Sequence, residues 1–338
     1  MDRAEHELKT SRFVLRDAAL NAYVHDIVCR LGKEHCPDLR VYVVRTPQFN
    51  ASMAPNGMMQ VWTGLLLRCS DEAQLAAIIG HEMGHYLRRH SIERWRDARD
   101  KADVGAFLSL GLSAAGVGWA GGMTNLALIA SIFAYSRDNE READEIGLQL
   151  MRKAGYAPVA AAEVWSQLIA ELEAGTAERA QNLLFATHPE PEERIVALRA
   201  AAEAATGESG GRGHARYLDR LAGVRKSLVR DELALRQYGR SERVFDRLLV
   251  RSPDDGLLWY AKGEVYRLRG EAGDPDRAAA AYAKALAVSG APAETYRSIV
   301  LIELKRGDRA RAQEAFTSYL ARVPDAADAG ALRMLISQ

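Results

Sequence analysis

The sequence predicts an α+β protein that is mainly α, with helices around a small β-sheet in a first domain and a wholly helical second domain. Three observations carry this. Apolar residues recur at helical spacing along most of the chain. Two short runs, VYVVR at 41–45 and MMQVW at 58–62, read instead as β-strands. Beyond GESGGRG, at 207–213, the sequence repeats itself in helix pairs. The division that follows is a first domain over 1–206, a linker at 207–216 and repeats over 217–338. Two domains of roughly 100–200 residues suit a chain of this length.

The N-terminal MDRAEHELKTSRF is charged and lacks an apolar core, so no signal peptide is visible in it. Residues 16–32 have helical apolar spacing and stop at Gly32. NASMAPNG, at 50–57, reads as a turn-rich loop between the strands. Trp62 and its neighbours at 58–62 suit core or edge-strand positions, and an edge strand beside a cleft can accept a peptide as an added strand. A helix then starts at Ser70 or Asp71, either of which can cap it, and runs through EAQLAAIIGHEMGHYLRR. Of three cysteines, Cys29 and Cys36 could pair, but buried free thiols are the plainer expectation.

Residues 104–136 contain no charge. Scattered Gly, Ser, Thr and Asn argue against a membrane span, and two crossings would need roughly 40 apolar residues. A buried helical hairpin or a lid over the cleft is the main expectation, with peripheral membrane contact as the alternative. Helical patterning resumes at Ser136 and continues to Ala205, broken around 155–158 and 187–191. Lys plus Arg equals Asp plus Glu, which gives no reason to expect nucleic acid as a partner.

In the second domain, Phe245 precedes Pro253 by the interval that separates Phe316 from Pro324. Ala312, Phe316, Tyr319 and Pro324 match the second half of a tetratricopeptide repeat. Trp259, Gly263, Tyr266 and Gly270 fit a first helix, and Ala278, Tyr282 and Ala285 a second. Such repeats offer concave surfaces to protein partners.

The chemistry centres on GHEMGHYLRRH. His81 and His85 are four apart on a helix, so both imidazoles reach one ion, and Glu82 beside them can take a proton from water. Imidazole and carboxylate donors favour Zn2+, one per chain. Two short strands ahead of the motif helix are what a zincin fold requires. A third ligand is needed, and SRDNEREADEIG supplies Glu140, with Asp144 on the same face to orient a ligand imidazole. A solvated acidic face is the plain alternative. His90 is rotated about 140° from His85 around the helix, so it reads as exposed or as a neighbour of a ligand. Arg194 could stabilise negative charge or lie on the surface.

HEMGH, SRDNEREADEIGLQLM and THPEPEERI, with NASMAPNG and TGLLLR ahead of them, together resemble the HtpX/BepA-like metallopeptidases, which include the CAAX prenyl protease type. The resemblance covers about residues 5–205. It implies a gluzincin domain with Glu140 as third zinc ligand and Asp144 as a supporting residue behind the ligands. The tetratricopeptide tail is similar to that of the envelope members of this family. That likeness implies a zinc endopeptidase acting on protein or peptide substrates in periplasmic or envelope quality control. It also implies that His188, in T-H-P, can close the metal's open position and make the enzyme latent; chemistry alone also allows it to stabilise an oxyanion. A chaperone or adaptor that binds through the repeats, with little proteolysis, is the rival reading.

Overall fold

The computed structural model describes residues 2–101, 135–175, 188, 191–204 and 210–337. They form two compact units, 1–228 and 229–338, divided inside one long helix. Among the described residues, no helix is long and apolar enough to cross a membrane. The uncharged stretch, up to residue 134, lies outside them.

The first unit opens with α1 (Asp2–Thr10) and α2 (Ala18–Gly32). Asp17 caps α2 by accepting from the Leu20 N–H, which explains why the helix starts there. A 3-10 turn over Lys33–Asp38 brings the chain back on α2. Cys36 thereby reaches Cys29, and the two form a disulfide, while Cys69 is a buried thiol outside it. The expectation of free thiols is therefore corrected, because spacing alone cannot show the reversal that the turn imposes.

Strands β1 (Arg40–Val44), β2 (Ala51–Met53) and β3 (Met58–Trp62) form a sheet in the order β1-β3-β2. β1 is parallel and β2 antiparallel to β3. Residues 51–53, expected in a loop, are a strand because Ala51 and Met53 bury alternate side chains. The turn after them closes at Gly57, whose φ of 83° puts it in the left-handed region. β3 is the central strand, so of the core and edge positions that suited 58–62 the core one is observed, and β2 is an edge.

From the sheet the chain enters α3 (Thr63–Arg68) and α4 (Glu72–Leu87). Asp71 caps α4 through the Gln74 N–H. Leu75, Ile78, Ile79 and Met83 of α4 are fully buried, each contributing about 1.5–3 kcal/mol. After α5 (His90–Lys101), α6 (Arg137–Lys153) starts with a reciprocal cap between Ser136 and Asn139. It packs on α4, and α7 (Val159–Glu173) and α8 (Pro191–Ala204) complete the layer. An ion pair between Arg68 and Glu171, both 2% exposed, ties α3 to α7.

The crossing of α4 and α6 depends on residues without side-chain bulk. A Cβ on Gly84 would stand 2.7 Å from the Ala143 carbonyl oxygen and 2.8 Å from its Cα. One on Gly147 would stand 3.0 Å from the His81 nitrogen. The N-terminus of α4 is also held firmly. Glu72, 1% exposed, accepts from Tyr23 and Tyr156 at 2.9 and 2.7 Å and pairs with Arg216 at 3.0 Å.

The segment expected to be a linker is bound in its described part. Gly211 N–H donates to the Gly155 carbonyl at 2.7 Å, and Arg212 Nε donates to Asp71 at 2.8 Å. α9 (His214–Ala234) follows, and the division between the units falls at 228/229 within it. Tyr217, on its first turn, is fully buried and donates to the Leu66 carbonyl.

The second unit contains α10 (Tyr238–Arg251), α11 (Gly256–Arg269), α12 (Asp274–Ala287), α13 (Glu294–Arg306), α14 (Arg309–Arg322) and α15 (Ala329–Ser337). Each packs on the next in sequence, and α11 also touches α13. The Tyr282 ring lies against Gly263, where a Cβ would meet it at 2.3 Å. Its hydroxyl donates to Glu264, which Arg267 neutralises. Phe316 and Tyr319 pack with Val300 and Leu332.

Gly84→Ala tests the crossing. Alanine gains roughly 1 kcal/mol of helix propensity, but overpacking against fixed backbone costs about 1–3 kcal/mol. A fall in melting temperature of a few degrees is expected by calorimetry, and an unchanged or raised value would refute the close packing.

Candidate metal centre

The crossing puts α4 and α6 close enough for their polar side chains to converge in the interior. His81, Glu82 and His85 project from α4, Glu140 and Asp144 from α6, and Arg194 from α8. His188 lies ahead of α8. All seven are buried, His85 and Glu140 to 1% exposure.

Four atoms from three parts of the chain meet. His81 Nε2 is 3.1 Å from His85 Nε2 and 3.3 Å from His188 Nδ1. Glu140 Oε1 is 2.9 Å from His188 Nδ1 and 3.3 Å from His85 Nε2. Among the described residues these four side chains could hold one metal ion. The fit to zinc can be checked. Tetrahedral bonds of about 2.0–2.1 Å place ligand atoms about 3.3–3.4 Å apart, close to the separations found.

The protonation pattern agrees. His81 Nδ1 donates to Asp144 Oδ1 at 2.8 Å, which leaves the lone pair of Nε2 facing inward. Burial lowers His85 well below the usual imidazole range, favouring the neutral ring that ligates. Two inward lone pairs 3.1 Å apart repel unless a cation lies between them. A second cluster of metal-capable side chains among the described residues, His25 with Cys29 and Cys36, has its sulfurs in the disulfide.

Charge around the cluster is balanced by Arg194. It is 4% exposed, which rules out the surface reading, and it donates to both oxygens of Asp144 at 2.7 Å. Its Nη1 lies 2.6 Å from Glu140 Oε2. Burial works against the charge on Glu140, but His188, Arg194 and His81 outweigh it and hold the carboxyl well below its ordinary value. Glu82 differs: burial raises it, and its Oε1 is 3.6 Å from His188 Nε2.

Several contacts were not legible in the sequence. Tyr135 stacks on the His85 ring, with centroids 3.7 Å apart, and Arg94 covers its other face at 4.0 Å. Trp165 of α7 meets the His81 ring edge-on at 6.0 Å and carries the Arg194 guanidinium at 4.3 Å. Neither aromatic has a spacing that marks it. His90 is buried and 3.0 Å from His85 Nδ1, so of the two expectations for it the exposed one is not met and it stands beside His85.

A buried pair of helix-borne histidines, closed by a carboxylate from a crossing helix, is the centre of an HExxH metallopeptidase. The chain belongs to peptidase family M48, whose model matches residues 14–202. It is 28% identical over 277 residues to a putative beta-barrel assembly-enhancing protease of Vibrio cholerae, covering 77% of this chain and 54% of that protein. The beta-barrel assembly-enhancing protease of Escherichia coli is 27% identical over 203 residues, 57% of this chain and 41% of that one. The mitochondrial metalloendopeptidase OMA1 of Schizosaccharomyces pombe is 34% identical over 157 residues, 46% and 44% of the two chains. The chain thus spans about half the length of these relatives.

Removing Arg194 leaves Glu140 and Asp144 as adjacent buried carboxylates. Arg194→Leu is expected to cost about 3–5 kcal/mol in urea unfolding of the metal-free protein, with Arg194→Lys recovering part of it. A loss below about 1 kcal/mol for the leucine variant would contradict this charge balance.

Proposed function

We propose that the protein is a zinc-dependent endopeptidase that hydrolyses peptide bonds in protein substrates. The observation that carries this reading is the buried Glu82 beside four convergent metal-capable atoms. His81, His85 and Glu140 are the proposed ligands, and Asp144 fixes the His81 ring through Nδ1. A zinc ion held there would supply the Lewis acidity that polarises a scissile carbonyl and acidifies water.

Glu82 is the proposed general base. Its carboxylate takes the proton from the attacking water and returns it to the leaving amine. Burial raises its pKa, which helps it hold that proton between the two transfers. Arg194 is engaged by Asp144 and Glu140, so its proposed task is to neutralise them and not to meet an oxyanion. β2, an edge strand that packs on α4, is the proposed place for substrate to add as a strand.

The resting enzyme is proposed to be latent. His188 offers Nδ1 to the cluster and turns Nε2 toward Glu82, so with a metal bound it would compete with a water for the place beside the base. This closure also favours the second reading, a chaperone or adaptor with little proteolysis. The helix pairs of the second unit are proposed to be tetratricopeptide-like and to recruit proteins. A role in envelope quality control is proposed from the relatives named beta-barrel assembly-enhancing proteases. The Cys29–Cys36 disulfide suits an oxidising compartment.

Glu82→Gln should abolish cleavage of casein and self-cleavage by the purified protein, by about 10²-fold or more, while zinc content measured by atomic absorption stays near one per chain. Retained cleavage would sink the mechanism. His188→Ala should raise casein cleavage several-fold if the site is latent. A fall in cleavage would favour the oxyanion role instead.

A further inference from the structure

His90 begins α5, just past the motif helix, and is 2% exposed. Its Nδ1 is 3.0 Å from His85 Nδ1, and its Nε2 is 3.0 Å from Glu142 Oε2. Glu142 in turn pairs with Arg88 on the surface. With a neutral His90 ring, the direction of these bonds follows from donor and acceptor chemistry. A carboxylate can only accept, so His90 donates from Nε2; in the neutral ring Nδ1 then accepts. His85 must therefore donate from Nδ1, and the lone pair of its Nε2 faces Glu140 and His81. A ligating imidazole needs that tautomer.

We propose that His90, held by Glu142 and Arg88, is a positioning residue that fixes the tautomer and ring orientation of His85 for metal binding. It acts on His85 as Asp144, held by Arg194, acts on His81. Each of the two motif histidines is thus anchored through Nδ1 by a chain that ends in an arginine. The two chains differ in exposure: Arg194 is buried, whereas Arg88 is 55% exposed at its side chain. Tyr135, stacked on the face of the His85 ring, restrains the ring plane but cannot set the tautomer.

The inference rests on the zinc reading, and the experiment separates the two. Zn2+ affinity of the full chain is measured by competition with a chromogenic chelator, alongside the absorption spectrum of the Co2+-substituted protein. His90→Leu removes the acceptor and is expected to weaken Zn2+ binding about 10–100-fold and to alter the Co2+ bands. His90→Asn, whose Oδ1 can stand where Nδ1 was, should restore most of the affinity. Glu142→Ala alters a partly exposed side chain, keeps the fold, and is expected to weaken binding several-fold. Wild-type affinity in both His90→Leu and Glu142→Ala would overturn the proposal, as would an asparagine variant no better than leucine. Failure of the wild-type chain to bind Zn2+ would instead overturn the zinc reading itself.

Discussion

The site depends on how closely two helices can approach. Gly80 and Gly84 of α4 meet Ala143 and Gly147 of α6, and at these positions backbone packs on backbone. With ordinary side chains there, the axes would separate by the width of a methyl group or more. The carboxylate of Glu140 would then no longer reach the space between His81 and His85. The glycine within the HEMGH motif is therefore as much part of the site's geometry as the histidines on either side of it. It also explains why α4 needs such firm anchorage at its other end, through Asp71 and the polar contacts of Glu72.

Electrostatics follow from that proximity. α6 brings three acidic residues, Glu140, Glu142 and Asp144, to the neighbourhood of one helix. Buried carboxylates are costly unless paired, and Arg194 serves both Glu140 and Asp144, while Arg88 serves the partly exposed Glu142. Glu82 is the exception. Among the described residues no arginine pairs with it, and burial raises its pKa. A carboxyl left in this condition is suited to exchanging a proton, whereas its neighbours are suited to holding charge in place.

Much of this was legible in the sequence. The strands at 41–45 and 58–62, the cap before α4, and the constellation of His81, Glu82, His85, Glu140 and Asp144 follow from periodicity and ligand spacing. What escaped depended on non-local approach. Residues 51–53 are too few to announce a strand, yet once β2 pairs they make β3 central. The Cys29–Cys36 bond needed a chain reversal that no period encodes. Glu142 sits two residues from Glu140 and would be read as facing solvent; it gains its partner because α5 turns His90 inward. Arg194 was ambiguous because nothing local distinguishes a buried arginine from a surface one. The segment at 207–216 has linker composition, but Gly210 and Gly213 use their small size to lie against the chain at Tyr156 and Glu72.

The spacing of the four convergent side chains has a consequence for the chain as a polymer. Glu140 and His188 are 48 residues apart, and His81 and His188 are 107 apart. An ion that bound them together would close loops of that size, acting as a cross-link between segments that are otherwise joined by weaker noncovalent contacts. By the chain-entropy reasoning used for disulfides, closing a loop of about 50 residues is worth roughly 4 kcal/mol. Metal supply would then govern how long the folded molecule lasts, as well as what it can hydrolyse.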